Sequence, residues 1–171
     1  MKKFKLVIGI DISKSKLDVC IIEDPNSKQH NYFITVNNRV GIASIIKEIR
    51  KYKFNMSECL FCFEKTGVYS MHLCTELEAK KYQYAMVPAI EIKRSKGLVR
   101  GKSDKTDSRD IAMYGFTHPY KIDLTSLPEA DLMKLRLLLT EREKLMKALS
   151  AFSPTGARMR CRPSCAGFSC R

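Results

Sequence analysis

The sequence has no long apolar run. No uninterrupted apolar stretch approaches the roughly 18 residues that a membrane-spanning helix needs. The first residues are positively charged, but the apolar stretch from Leu6 to Ile10 is broken by Asp11, so the uncharged core of about 7–15 residues that a secretory signal peptide requires is missing. A mean hydropathy of −0.24 is typical of a globular protein in water. We therefore expect a cytoplasmic protein that does not enter a membrane.

Glycine is scarce, and no glycine-rich phosphate loop is present. A strand followed by Gly-Ile-Asp at 9–11 also opens the actin-like and Hsp70-like ATPases, but those proteins need later glycine-rich loops and far more chain than 171 residues with eight glycines. Among the seven cysteines, Cys59 and Cys62 form a lone pair in a strand-like run, with no second pair at zinc-site spacing. Cys20 and Cys74 fall in apolar patterns typical of core thiols. These absences argue against an ATPase and against a zinc protein.

Acidic residues are too few to balance the basic ones. Thirty-one Lys and Arg stand against eighteen Asp and Glu, which leaves a formal charge of +13. Such a surplus favours polyanionic partners, nucleic acid first and an anionic membrane surface second. The alternative is a basic protein with no polyanionic partner. The residues that we expect to contact nucleic acid cluster in one stretch, and they are Lys93, Arg94, Lys96, Arg100, Lys102 and Lys105.

The order of apolar patterns predicts an α/β fold. Strand-like runs occupy 4–10, 17–22, 31–36, 58–63 and 82–87, and helix-like runs occupy 38–49, 68–80 and 106–114. Short turns between the first three strands predict an antiparallel meander, and Asn37 and Asn38 are positioned to cap the first helix. The helical crossover to the fourth strand predicts that strands one and four are parallel neighbours. The pattern is that of a mixed five-stranded sheet with flanking helices in a domain spanning 1–117.

The remainder of the chain divides into three parts. Residues 118–129 have the composition of a linker, and 130–150 form a long helix with a coiled-coil-like seam. The apolar residues of this seam are Leu132, Leu135, Leu139, Met146 and Leu149. Such a seam predicts a homo-oligomer, or else a helix packed on its own domain. Residues 151–171 contain four Arg, three Cys and no acidic residue, and are either a basic arm or a tail without a folded role.

Four carboxylates are candidates for catalysis. Asp11 and Glu64 lie at the carboxyl ends of strands that we expect to be neighbours, and Asp104 and Asp107 share one face of a helix start. Four acids in one place repel each other unless a cation compensates. Two Mg²⁺ (or Mn²⁺) ions about 3.5–4 Å apart, bound by these oxygens, would support phosphodiester chemistry. Taken singly, each acid is also compatible with a turn or a helix start.

Three segments resemble a known family. They read IGIDISK at 8–14, EKTGVY at 64–69 and KSDKTDS at 102–108, and in this order they are similar to motifs of the DEDD insertion-sequence transposases, relatives of the Piv invertase. The resemblance implies a RuvC-like fold of the ribonuclease H type. It also implies that Asp11, Glu64, Asp104 and Asp107 form a catalytic, metal-binding tetrad, and that the partners are DNA and a structured guide RNA.

The resemblance is incomplete after Ser150. Members of the family carry a second domain there, with a serine that acts as the strand-exchange nucleophile, and nothing similar follows in this sequence. The chain therefore resembles a truncated transposase that is not competent for transposition alone. Two alternatives remain open, a stand-alone junction-resolving nuclease and a non-catalytic remnant that binds nucleic acid.

Overall fold

The chain divides into two units after Leu127. The computed structural model describes residues 4–27, 29–65, 67–96, 104–127 and 130–152. The first unit spans Met1–Leu127 and the second Pro128–Arg171. Residues 118–127 belong to the first unit, where the amide of Thr125 donates to the carbonyl of Tyr84 at 2.8 Å and the Thr125 hydroxyl accepts from the amide of Met86 at 3.0 Å.

A mixed five-stranded sheet organises the first unit. Its strands are β1 (Leu6–Ile12), β2 (Lys16–Ile22), β3 (Asn31–Val36), β4 (Cys59–Glu64) and β5 (Tyr84–Val87). The order across the sheet is β3-β2-β1-β4-β5, with β2 antiparallel to both β1 and β3, and with β1, β4 and β5 parallel. The predicted meander, the parallel pairing of the first and fourth strands and the α/β class with a mixed five-stranded sheet are confirmed.

The helices depart from the sequence prediction at several places. They are α1 (Arg39–Ile49), α2 (Met71–Ala79), α3 (Ala89–Lys96), α4 (Asp104–Thr117) and α5 (Ala130–Phe152). Helix α3 was not predicted, and α4 begins at Asp104 and continues three residues beyond the predicted end. The predicted cap is confirmed at Asn38, whose side chain accepts from the amide of Gly41 at 3.0 Å.

Two apolar layers cover the sheet. Alternate residues of each strand point to opposite faces, so Ile8 and Ile10 pack towards α1 and α2 while Val7 packs towards α4. The predicted core thiols are confirmed, because Cys20 lies in the α4 layer and Cys74 in the opposite one. The acidic residues of the strands project on the α4 side of the sheet, and α4 therefore positions the site.

Helix α5 forms the second unit in the described part of the chain. It ends at Phe152, two residues beyond the predicted end, and Leu135 and Leu139 on its seam are exposed. Residues 153–171, most of the predicted tail, lie outside the described residues. Among the helices that the structure describes, none combines the length and the apolar character needed to span a membrane.

Candidate active site

Strand register brings two predicted carboxylates to one edge of the sheet. Ile10 of β1 pairs with Phe63 of β4, and because the strands are parallel, the next residues, Asp11 and Glu64, reach the same edge. Asp11 lies inside β1 rather than after it, because the pairing with β2 continues past Asp11 and Asp18 to Ile12 and Leu17. Asp18, a third strand carboxylate, is 1% exposed.

Gly9 allows α4 to approach β1 closely. A Cβ at this position would lie 2.2 Å from the carbonyl oxygen of Ser108 and 2.4 Å from the amide nitrogen of Ala112, distances that a side chain cannot occupy. Asp11 follows Gly9 by two residues and therefore points to the same face of the sheet, towards α4.

The direction of α4 places its first turn beside Asp11. Near the start of β1, Val7 lies opposite Gly115, where a Cβ would lie 3.0 Å from a Val7 methyl carbon. Two residues later Gly9 meets Ser108 and Ala112. Strand β1 and helix α4 therefore run in opposite directions. Asp11, two residues after Gly9, accordingly lies beside the first turn of α4, which carries Asp104 and Asp107.

The pKa of Asp11 is affected by the acids that lie around it. Burial raises the pKa of the Asp11 carboxyl, and the carboxylates of Asp107, Glu64, Asp104 and Asp18 raise it further, in that order. Each of these groups disfavours a negative charge on Asp11. The structure thus brings the other three predicted acids, with Asp18 in addition, within electrostatic reach of Asp11.

A lysine that sequence reasoning missed lies in the middle of the acids. The ammonium of Lys16 donates to Asp104 Oδ2 at 2.5 Å and lies 3.1 Å from Asp18 Oδ2, and these contacts, with Asp104 first, raise the pKa of Lys16. The Tyr32 hydroxyl donates to Asp18 Oδ1 at 2.6 Å, and this bond is the main reason that the pKa of Tyr32 rises to about 12. The alternation of a strand places positions 16 and 18 on one face, but the pairing of Asp18 with Asp11 across the sheet is visible only in the structure.

The structure describes the side chains of three of the six predicted basic residues, and these three lie on two different helices. Lys105 lies beside the acids on α4, with its ammonium 5.4 Å from the centroid of the Tyr32 ring. Lys93 and Arg94 are exposed on α3, where Arg94 lies 3.8 Å from Glu91. The other three fall outside what the structure describes, the side chain for Lys96 and the whole residue for Arg100 and Lys102.

The donors at this edge suit a hard divalent cation. Carboxylate oxygens are the ligands that Mg²⁺ and Mn²⁺ prefer, and burial together with the neighbouring carboxylates raises the pKa of Asp11. Within the described ranges, however, no three His, Cys, Asp or Glu side chains converge closely enough to hold one ion. Lys16 is the cation that bridges Asp18 and Asp104 in this arrangement.

The sequence is also similar to a known protein family. A family model of the IS110-type DEDD transposases, described as a transposase, matches residues 8–155. The chain belongs to this transposase family. The matched range includes Asp11, Glu64, Asp104 and Asp107, and the family predicted from the three motifs is confirmed.

Solved structures offer a further comparison for this transposase-family chain. The T. thermophilus RuvC structure, solved in complex with a Holliday junction substrate, is 7% identical, with a TM-score of 0.49 over 70% of this chain and 99% of that chain. No curated protein matches the sequence. Residues 156–171 lie outside both the family match and the described residues, so truncation stays a prediction.

Proposed function

We propose that this transposase-family chain carries out metal-dependent phosphodiester chemistry on DNA during the movement of an insertion sequence. Asp11, Glu64, Asp104 and Asp107 are the proposed catalytic residues and the proposed ligands of Mg²⁺ or Mn²⁺. The observation that carries the proposal is geometric: strand register brings Asp11 and Glu64 to one edge of the sheet, and the first turn of α4, with Asp104 and Asp107, lies beside Asp11. Carboxylates that lie this close repel one another unless a cation compensates their charge, so the arrangement favours a bound cation.

Each part of the site has a role in this proposal. Divalent ions, when bound, activate the attacking oxygen of a phosphodiester exchange and stabilise the leaving oxygen. Asp11 and Glu64 are held by the ends of neighbouring strands, so the sheet fixes their separation. Lys105 and the exposed Lys93 and Arg94 supply positive charge for the phosphate backbone.

Partners are proposed on the same basis. DNA is the expected substrate, in line with the family and with the junction held by the RuvC structure. A structured guide RNA follows from the resemblance of the motifs, and a homo-oligomer follows from the exposed seam of α5.

Calorimetric titration with Mn²⁺ tests the proposal. We expect the wild-type chain to bind the ion and the double variant Asp11→Ala/Asp104→Ala to lose at least tenfold in affinity, since metal-ligand losses are at least of this order. The control is Glu48→Ala/Asp123→Ala, which removes two carboxylates outside the cluster. Equal binding by all three proteins would refute the site. Cleavage of branched DNA by the chain alone would instead identify a stand-alone nuclease.

A further inference from the structure

A cavity of about 480 Å³ lies beside the acidic cluster, between the β2–β3 side of the sheet and α4. Its lining residues are Cys20, Gln29, His30, Tyr32, Lys105 and Arg109. This volume is within the usual range of small-ligand sites, about 300–1,000 Å³. Tyr32 belongs to both places, because its ring lines the cavity while its hydroxyl donates to Asp18. A ligand in the cavity is therefore adjacent to anything held by the carboxylates.

The lining of the cavity is cationic. Lys105 and Arg109 are four residues apart on α4, so both point to the same side of the helix, and no carboxylate belongs to the described lining. The electrostatic influence of Arg109 reaches both Cys20 and His30. Asp24 and Asp110 act on these two groups with the opposite sign, but neither lines the cavity. An anion is the ligand that this lining favours.

His30 provides an unsatisfied polar group in the cavity wall. Its Nε2 atom is buried and has no hydrogen-bond partner in the described part of the chain. Buried polar atoms in proteins are nearly always paired, and an unpaired one costs stability. Burial, and secondarily Arg109, lower the pKa of the imidazole, which favours the neutral ring near neutral pH. A neutral ring protonated at Nε2 is a donor for an anionic oxygen.

We propose that this cavity binds a backbone phosphate of a nucleic-acid strand, next to the phosphate that reacts at the carboxylates. Arg109 and Lys105 neutralise the phosphate, and His30 donates to one of its oxygens. Because the cavity and the cluster share Tyr32, the strand is fixed on one side of the reacting bond. This inference rests on the proposed function, and it assigns to Arg109 and His30 a role in positioning the strand.

Binding of fluorescent oligonucleotides tests the cavity in the full chain. The probes are a single-stranded DNA and the RNA of the same sequence, and the variants are Arg109→Gln and the control Arg50→Gln. Arg50 is exposed and follows α1 on the opposite layer. We expect Arg109→Gln to weaken binding by about threefold to tenfold, and the slope of log K against log salt to fall by about 0.7. Whichever probe loses more affinity identifies the strand that the cavity holds.

The two proposals fail in different ways in this experiment. If the wild-type chain binds neither probe, both the proposed function and the cavity are refuted. If the wild-type chain binds but Arg109→Gln behaves as Arg50→Gln does, the cavity alone is refuted. Mn²⁺ affinity should be unchanged in Arg109→Gln, since Arg109 is not a metal-binding residue.

The histidine spectrum gives a second readout that does not depend on affinity. The chain contains three histidines, so the imidazole resonances can be assigned with a His30→Gln variant. Addition of the oligonucleotide should move the resonances of His30 and leave those of His72, which is exposed on α2 across the sheet. A shift with inorganic phosphate but with neither strand would overturn the proposal, and so would an unmoved His30.

Discussion

Two residues of β2 set the charge balance around Asp11. Asp18 adds a fifth carboxylate that is 1% exposed, and Lys16 spans from Asp18 to Asp104. A buried carboxylate is tolerated only when it is paired and hydrogen-bonded, and here Tyr32 and Lys16 meet that need. The cluster is therefore a mixed network of acids and one ammonium.

Replacement of Asp11 by Asn should stabilise the fold at neutral pH. The folded state raises the pKa of Asp11 above 3.8, its ordinary value, so the stability linked to this group is present below that value and is lost as pH rises through the raised pKa. Urea unfolding at neutral pH should give a higher midpoint for Asp11→Asn than for the wild-type chain, and the difference should vanish below pH 3.8. A lower midpoint at neutral pH would contradict this prediction. Asp123→Asn is the control.

Replacement of Lys16 by Gln should change metal affinity in the opposite direction to loss of an acid. Without the ammonium, Asp104 and Asp18 lose a competing cation, so the affinity for Mn²⁺ should rise while the metal-free fold becomes less stable. Titration calorimetry and urea unfolding measure the two effects. Lys14→Gln removes the same charge from an exposed turn residue and should show neither. Weaker Mn²⁺ binding in Lys16→Gln would count against competition.

At the residue scale, sequence reasoning found the acids at the ends of apolar runs and missed the two charged residues of β2. Asp11 and Glu64 were recognisable because each follows a strand-like run. Asp18 and Lys16 lie within β2, where hydropathy alone shows an ordinary strand. Their roles depend on what lies opposite them across the sheet, which a linear pattern does not contain.

At the element scale, contact between α4 and β1 determines the site. The strands were predictable because their apolar runs are bounded by turn residues. Helix α3 was not, because Ile90 and Ile92 are two residues apart and only Ile92 is buried, which gives no helical period. The start of α4 at Asp104 follows from acids that favour the first turn of a helix.

Gly9→Ala should separate α4 from β1. The added Cβ meets backbone atoms of Ser108 and Ala112, and overpacking of this kind costs about 1–3 kcal/mol. Because Asp104 and Asp107 move with α4, Mn²⁺ affinity should fall at least tenfold, as measured by calorimetry. Ile45→Ala in the opposite layer should cost about 2–5 kcal/mol yet keep the affinity. Retained Mn²⁺ binding in Gly9→Ala would show that the close approach is not needed.

At the scale of the whole molecule, the charge and the exposed apolar surface are the two properties that bear on the proposed partners. The formal charge is +13, and α5 exposes Leu132, Leu135 and Leu139 at 45%, 52% and 51%. Neither the charge nor the exposed apolar surface of α5 can be deduced from the arrangement of the sheet. The charge is read directly from the composition, and the spacing of the α5 leucines predicts a seam that packs on another copy or on its own domain, whereas the identity of each partner depends on surfaces outside this chain.

Association through α5 is measurable by sedimentation. We expect the wild-type chain to sediment as a multiple of 19.6 kDa and Leu139→Lys to shift to the monomer, because a buried lysine in an apolar seam is unfavourable. Leu137 lies on the opposite side of the helix from Leu135 and Leu139, so Leu137→Lys should leave the assembly intact. A wild-type monomer at high concentration would refute the oligomer.

The Lys16 bridge also bears on how the protein folds. Without a cation, repulsion among the acids would oppose folding. Here the ammonium of Lys16 lies on the same strand as Asp18, so it offsets part of that repulsion as the sheet forms. Occupation by any other cation is then an exchange, in which the tethered ammonium is displaced but not lost. The measured Mn²⁺ affinity therefore reflects the difference in binding free energy between Mn²⁺ and the Lys16 ammonium, which compete for the same oxygens.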